Sequence, residues 1–329
     1  MTTAQHKLPS GFGPRSTATQ VLAGLELRGK LAMVTGGYSG LGIETVAALA
    51  GAGAQVIVPA RRPGVAREAL ASRGLSEVEL DELDLSDLAS VRAFAERFLA
   101  TGRSLDILIN NAAIMACPEA RVGNGWESQF ATNHLGHYVL TNLLLPALVM
   151  DGGARVVALS STGHKLSGIR FDDPQFTTRY DKWLAYGQAK SANSLFAVQL
   201  DRLGAPHGVR AFAAHPGGIM TELQRHLPRE EMIAAGWMTA DGTVNDRFKS
   251  PAQGAATSTW AATSLMLHGR GGVYCEDCDI AEPTVPDSPE ARVCGVNAHA
   301  IDPEVAARLW VYSAELTGID AFAGASATD

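Results

Sequence analysis

The run Thr35-Gly36-Gly37-Tyr38-Ser39-Gly40-Leu41-Gly42 lies between an apolar stretch at 30–35 and an alanine-rich one that begins near 41. Strand, glycine turn and helix in that order aim backbone N–H groups and the positive end of a helix at an anionic ligand. A triphosphate loop would close on Gly-Lys-Ser/Thr, whereas this run closes on Gly40-Leu41-Gly42-Ile43 and supplies no lysine. Its glycines follow G-x-x-x-G-x-G, not the commoner G-x-G-x-x-G of dinucleotide turns. The turn therefore predicts a phosphate-bearing cofactor and the first strand–helix unit of a parallel sheet.

The rest of the chain repeats that unit. Short apolar runs predict strands at 30–35, 54–60, 78–85, 105–112, 155–161, 209–215 and 271–277. Helical spacing predicts helices near 41–52, 64–73, 87–100, 126–149, 186–204, 252–267 and 303–317. Such alternation requires parallel strands joined by right-handed crossovers, with both sheet faces covered. The expected fold class is α/β: a single doubly wound Rossmann domain across 1–329, about seven parallel strands with helices on both faces. Residues 1–25 read as an N-terminal arm and 163–182 as a polar loop. Residues 220–250 read as a substrate lid, because Met220, Leu223, Leu227, Met232, Ile233, Trp237 and Met238 are scattered among charges without regular spacing.

Bulk composition narrows the function. With 46% hydrophobic and 19% charged residues in 329, the chain has ample material for a buried core. A net charge of −7 argues against nucleic-acid or anionic-membrane partners. No run approaches the ~20 apolar residues of a membrane span, and the first twenty residues lack the apolar core of a secretory signal. Cys117, Cys275, Cys278 and Cys294 are too scattered for a disulfide framework, so a cytoplasmic protein is expected.

The end of the second strand refines the cofactor. A free ribose 2′-OH calls for a carboxylate there, but the chain offers Ala60-Arg61-Arg62, suited to a 2′-phosphate. NADP(H) is thus expected over NAD(H). Asp84-Leu85 after the third strand can accept from an adenine amino group. Asn110-Asn111-Ala112-Ala113 after the fourth are small enough to let a cofactor lie on the strand ends. Tyr186 and Lys190 stand four apart on one helix face, where an ammonium group lowers a phenol pKa from ~10 toward neutrality. Ser161 ends the fifth strand and can orient a substrate carbonyl, and Asn133 can hold a water that passes protons to Lys190. His134 and His137, three apart, lack a third metal ligand nearby and read as packing residues. No metal is expected, and Cys275 and Cys278 read as two reduced thiols. In the acidic run 81–87, Ser86 or Asp87 reads as a helix cap.

On these motifs the chain resembles the short-chain dehydrogenase/reductase family over nearly its whole length. "NHLGHYVLT" around Asn133, the wide Ser161–Tyr186 gap and "HPGGIMTEL" at 215–223 resemble its retinol-dehydrogenase-like and carbonyl-reductase-like branch. Tyr38 stands where that branch often carries Asn, and Ala113 replaces a commoner Gly. The resemblance implies hydride transfer between a nicotinamide and a small-molecule carbonyl or alcohol, without a metal. It implies Tyr186 as proton donor or acceptor, Lys190 as its modulator and ribose ligand, Ser161 as orienter and Asn133 in the relay. It places Gly36, Tyr38, Ser39, Gly40, Leu41 and Gly42, with Arg61, Arg62, Asp84, Leu85, Asn111, Ala112 and Ala113, around the cofactor. Pro216, Gly217, Ile219 and Thr221 fall on the nicotinamide side. A homodimer or homotetramer is open, since the branch also contains monomers. Two other readings carry different expectations: a non-catalytic NADP-binding regulator, and an epimerase or dehydratase like those of the extended branch.

Overall fold

The computed structural model describes residues 3–324. Eight strands form the central sheet: β1 (Leu31–Val34), β2 (Gln55–Ala60), β3 (Glu79–Glu82), β4 (Ile107–Asn110), β5 (Arg155–Leu159), β6 (Arg210–His215), β7 (Val273–Glu276) and β8 (Asp279–Ile280). Their order is β8-β7-β6-β5-β4-β1-β2-β3. All neighbours pair in parallel except β7 and β8, an antiparallel hairpin. The count is eight where about seven parallel strands were expected, because the chain doubles back through Asp277-Cys278 and adds a two-residue edge.

Interior strands are mostly apolar and buried, as with Leu31–Val34 of β1 and Ile107–Ile109 of β4, in keeping with burial on both faces. The expectation of apolar strands fails at β3. Its Glu-Leu-Asp-Glu sequence forms a solvent-facing edge, with Glu79 paired to Arg103 and Asp81 to Arg97. Charged residues on an edge strand discourage further pairing.

The principal helices are α1 (Gly40–Gly51), α2 (Pro63–Ala71), α3 (Leu88–Leu99), α4 (Gly136–Leu143), α5 (Lys182–Gly204), α6 (Ala256–Thr263) and α7 (Pro303–Thr317). Their caps are legible: Asp87 accepts from Ala89 N at the start of α3, and Asp181 accepts from Trp183 N and Leu184 N at the start of α5. Asp302 and Pro303 open α7, which ends on left-handed Gly318. Two apolar layers sandwich the sheet, one beneath α3, α4 and α5, the other beneath α1 and α6. Helix α7 lies across α5, where Trp310 stacks on Phe196 at 5.8 Å.

The helix expected at 126–149 is broken. A hairpin pairs Arg121–Val122 with Trp126–Glu127, a π-helical turn spans Ala131–Leu135, and the helix stops at Leu144 before Pro146. The arm is pinned to the sheet: Gln5 Nε2 donates to the Tyr274 and Ala281 carbonyls, and Ala18, Val21 and Leu22 join the α1-side core. Because β1 and β4 are adjacent while the chain leaves them in opposite directions, a crevice opens at their C-terminal ends, where ligands bind in such sheets.

Candidate active site

The glycine turn crosses that crevice. Gly36 (φ +62°) and Gly40 (φ +54°) take left-handed backbone that glycine adopts without strain. Gly42 is fixed by contact, since a methyl group there would lie 2.4 Å from the Gly36 carbonyl. Helix α1 starts at Gly40 with Ser39 as N-cap, and the Ser39 side chain caps no amide. The first turn of this twelve-residue helix thus has no N-cap side chain on its N–H groups, a fit for a phosphate. Tyr38 packs half-buried against the α1-side core and closes the flank of the turn.

Strand ends support it. Asn111 Nδ2 donates to the Thr35 carbonyl at 2.8 Å, and the Asn111 and Ala112 amides donate to Thr35 Oγ1 at 2.9 and 3.0 Å. Asn111 is therefore tied to the turn itself, with Ala112 and Ala113 half-buried beside it. Arg61 and Arg62 are exposed at the end of β2, and neither enters an ion pair among the described residues. Asp84 Oδ1 accepts from both N and Oγ of Ser86, while Leu85 is buried against Gly136. After β6, Pro216 and left-handed Gly217 turn the chain so that buried Ile219 and half-buried Thr221 return to the glycine loop. A methyl at Gly40 would sit 3.5 Å from Thr221.

Beyond β5 and on α5 lie the residues expected to carry the chemistry. Tyr186 and Lys190 are both buried, with Lys190 Nζ 5.6 Å from the centre of the Tyr186 ring. Nζ donates to the Leu159 carbonyl at 3.0 Å. Ser161 Oγ accepts from Gly163 N at 3.0 Å and faces the phenol across Gly163. The electrostatics depart from the expectation that Lys190 brings the phenol toward neutrality. Burial pushes Tyr186 up to about 12, against the pull of Ser161, and pushes Lys190 down to about 7. Removing each group from water disfavours its charged form.

Asn133 lies in the π turn, a local form often found at functional positions. Its side chain is tied to the backbone of Ile114: Nδ2 donates to the Ile114 carbonyl and Oδ1 accepts from Ile114 N, both at 2.9 Å. The backbone carbonyl of Asn133 is held separately from its side chain. That carbonyl accepts from His137 Nδ1 at 3.0 Å.

Two histidines make connections that the sequence reading, which took His137 as a packing residue and did not single out His164, does not give. His137 must carry its proton on Nδ1, so Nε2 accepts from the Thr35 hydroxyl at 2.9 Å. One ring thus joins the glycine turn to the Asn133 carbonyl. His134 turns instead to Ser313 Oγ, at 2.8 Å, so the two rings have separate partners. His164 Nδ1 bonds to the Ser161 carbonyl, and its Nε2 accepts from Asn297 N at 3.1 Å. Burial pushes His137 and His164 down to about 4, which keeps both neutral.

Gly163 was missed as well, because its need for glycine lies in a contact: a methyl would meet Tyr186 Cε1 at 2.7 Å. The 220–250 segment comes to the same place. Leu227 forms one buried apolar group with Met115, Ala116 and Tyr186, bordered by Trp183, Leu223, Met232 and Trp237. Its two ends are pinched together where Lys249 N donates to the Gly218 carbonyl at 2.8 Å.

Comparisons with known proteins agree with this geometry. Residues 30–232 match the model of the family described as short chain dehydrogenase. A Streptomyces lividans protein named "Probable oxidoreductase" is 46% identical over 298 residues, 88% of this chain and 98% of that one. Mouse retinol dehydrogenase 12 is 39% identical over 299 residues, 90% of this chain and 88% of that one. The crystal structure of an uncharacterized protein from Mycobacterium paratuberculosis superposes with a TM-score of 0.70 at 35% identity, covering 93% of this chain and 98% of the other.

Proposed function

The chain belongs to the short-chain dehydrogenase/reductase family, in its retinol-dehydrogenase-like branch, and is an oxidoreductase of CH–OH groups; from that premise we propose that it is an NADP(H)-dependent enzyme interconverting a secondary alcohol and a ketone, or a primary alcohol and an aldehyde. The observation that carries this reading is the grouping of buried Tyr186 and Lys190 with half-buried Ser161 beside the crevice that the glycine turn crosses. The turn fits a dinucleotide pyrophosphate because Gly36, Gly40 and Gly42 leave backbone bare and the α1 amides uncapped. Exposed Arg61 and Arg62 favour a 2′-phosphate over a free hydroxyl.

A nicotinamide cofactor held by the glycine turn and the strand ends would supply the hydride in reduction and accept it in oxidation. Ser161 Oγ, held by Gly163 N, orients the carbonyl oxygen. Tyr186 keeps its proton at neutral pH, pushed up by burial, and so stands ready to donate it to that oxygen as reduction proceeds. Lys190, when charged, stabilises the tyrosinate that forms. The Asn133 carbonyl, aligned by His137, offers a site for a water that returns a proton to Lys190.

The apolar group of Met115, Leu227, Met232 and Trp237 beside Tyr186 supports a bulky or apolar substrate, with 220–250 as the lid over it. No helix among the described residues is long and apolar enough to cross a membrane. A panel of ketones, aldehydes and alcohols assayed with NADPH, NADH and their oxidised forms tests the proposal. Turnover of apolar carbonyls with NADPH is expected. Cofactor binding without turnover of any member would favour the regulator reading instead.

A further inference from the structure

Glu231 sits on the short helix Arg229–Ala234, midway along the excursion, and its carboxylate reaches back to the start of α5. Oε2 lies 2.6 Å from Lys182 Nζ, and Oε1 accepts the Trp183 indole N–H at 2.7 Å. These two bonds hold the carboxyl below its ordinary range, so it is ionised. An indole has a single donor, and satisfying it from a fixed carboxylate sets the ring plane.

The ring so set is a wall of the site. Trp183 precedes Tyr186 by three residues and shares its helix face. The two rings meet edge to face, 6.5 Å apart and inclined at 81°. Trp183 meets Trp237 at 5.9 Å and 83°, and Trp237 continues to Phe248 at 5.8 Å. A carboxylate on the excursion thus fixes an aromatic row whose first member borders the phenol.

We propose that Glu231 is a positioning residue which, through Trp183, sets the shape of the opening over Tyr186 and thereby favours carbonyl substrates bulky enough to lie against that row. The proposal rests on the carbonyl-reduction reading above. Glutamine at 231 keeps an oxygen for the indole but drops the charge, whereas alanine removes both, so the pair separates positioning from ion pairing.

The test uses the full-length protein and its Glu231→Ala, Glu231→Gln and Trp183→Phe variants. The indole N–H resonance of Trp183 is identified by its loss in Trp183→Phe. Reduction of cyclohexanone and 4-phenylcyclohexanone is followed with NADPH. In Glu231→Ala the resonance shifts, KM for the phenyl ketone rises about fivefold or more, and kcat for cyclohexanone stays within about twofold. Glu231→Gln restores the wild-type resonance and KM. Unchanged resonance and KM in Glu231→Ala, equal losses for both ketones, or no rescue by glutamine would each overturn the proposal. If the wild type reduces neither ketone, the claim of discrimination falls with the reading beneath it. The resonance still decides whether Glu231 holds Trp183.

Discussion

Lys190 and Tyr186 lie on one face of α5, yet the lysine amine gives its hydrogen bond to the Leu159 carbonyl, 3.0 Å away, and meets the tyrosine ring at 5.6 Å from its centre. The pair is built for a charge that appears during reaction, since the charged lysine stabilises tyrosinate and not phenol. With Lys190 down at about 7 and Tyr186 up at about 12, the lysine titrates first as pH rises. We expect kcat/KM for carbonyl reduction to fall as pH passes upward through about 7, when the ammonium loses its proton. In Lys190→Met that limb should vanish from the pH profile, leaving a low and flat rate. A limb at the same pH in the variant would assign it to another group.

Acid should unfold the protein early. His134, His137, His164 and His215 are buried and pushed down to about 3, 4, 4 and 3 by desolvation. The unfolded chain takes up protons from its ordinary histidine pKa of about 6.5, where the folded chain does not. Stability is therefore fully present above that value and is lost as pH falls toward 4, by roughly 1.4 kcal/mol per pH unit per histidine. Thermal melts should show a Tm nearly constant at neutral pH and dropping steeply between pH 6 and 4. A Tm flat to pH 4 would contradict the buried, neutral assignment.

Gly163→Ala probes the packing between the catalytic serine and tyrosine. The added methyl would stand 2.7 Å from Tyr186 Cε1 and 3.4 Å from Ser161 Oγ, so the phenol must move. Overpacking of this kind costs about 1–3 kcal/mol of stability. Turnover should fall by about tenfold or more, through misplacement of the acid, with cofactor affinity nearly unchanged. Steady-state kinetics beside a fluorescence titration with NADPH separate the two.

Cofactor preference rests on the end of β2. Arg61→Asp exchanges a cation for an anion where the 2′-phosphate is expected, so KM for NADPH should rise by about tenfold or more while KM for NADH changes little. Equal changes for the two cofactors would remove the argument from Arg61 and Arg62.

The parallel α/β sheet was legible because it depends on local pattern: apolar strands alternating with helical spacing, a glycine turn after β1, and a helix opened by Asp87. The added edge strand β8 was not, since its hairpin turns through Asp277-Cys278, at φ +50° and +61°, without the Asn-Gly signal such turns favour. The π turn around Asn133 was hidden too, because it interrupts a stretch whose residues all suit a helix. The placing of Tyr186 and Lys190 on one helix and of Ser161 just past a strand end could be read from spacing. His137 and His164 could not, since their deciding partners, Thr35 and Asn297, lie 102 and 133 residues away in sequence. The burial that raises the phenol was hidden for a related reason. Attraction between neighbours is visible in a sequence, whereas the depth of burial that opposes it is set by α5 packing on all sides.

The most direct test of the account is Tyr186→Phe, which removes one oxygen atom from the proton path and leaves the ring in place. Catalysis through that hydroxyl predicts kcat/KM for carbonyl reduction lower by about 10²–10⁴, with NADPH affinity by fluorescence titration close to the wild-type value. A variant that retained full turnover would contradict the assignment of Tyr186 as the acid, and with it the mechanism built on Ser161 and Lys190.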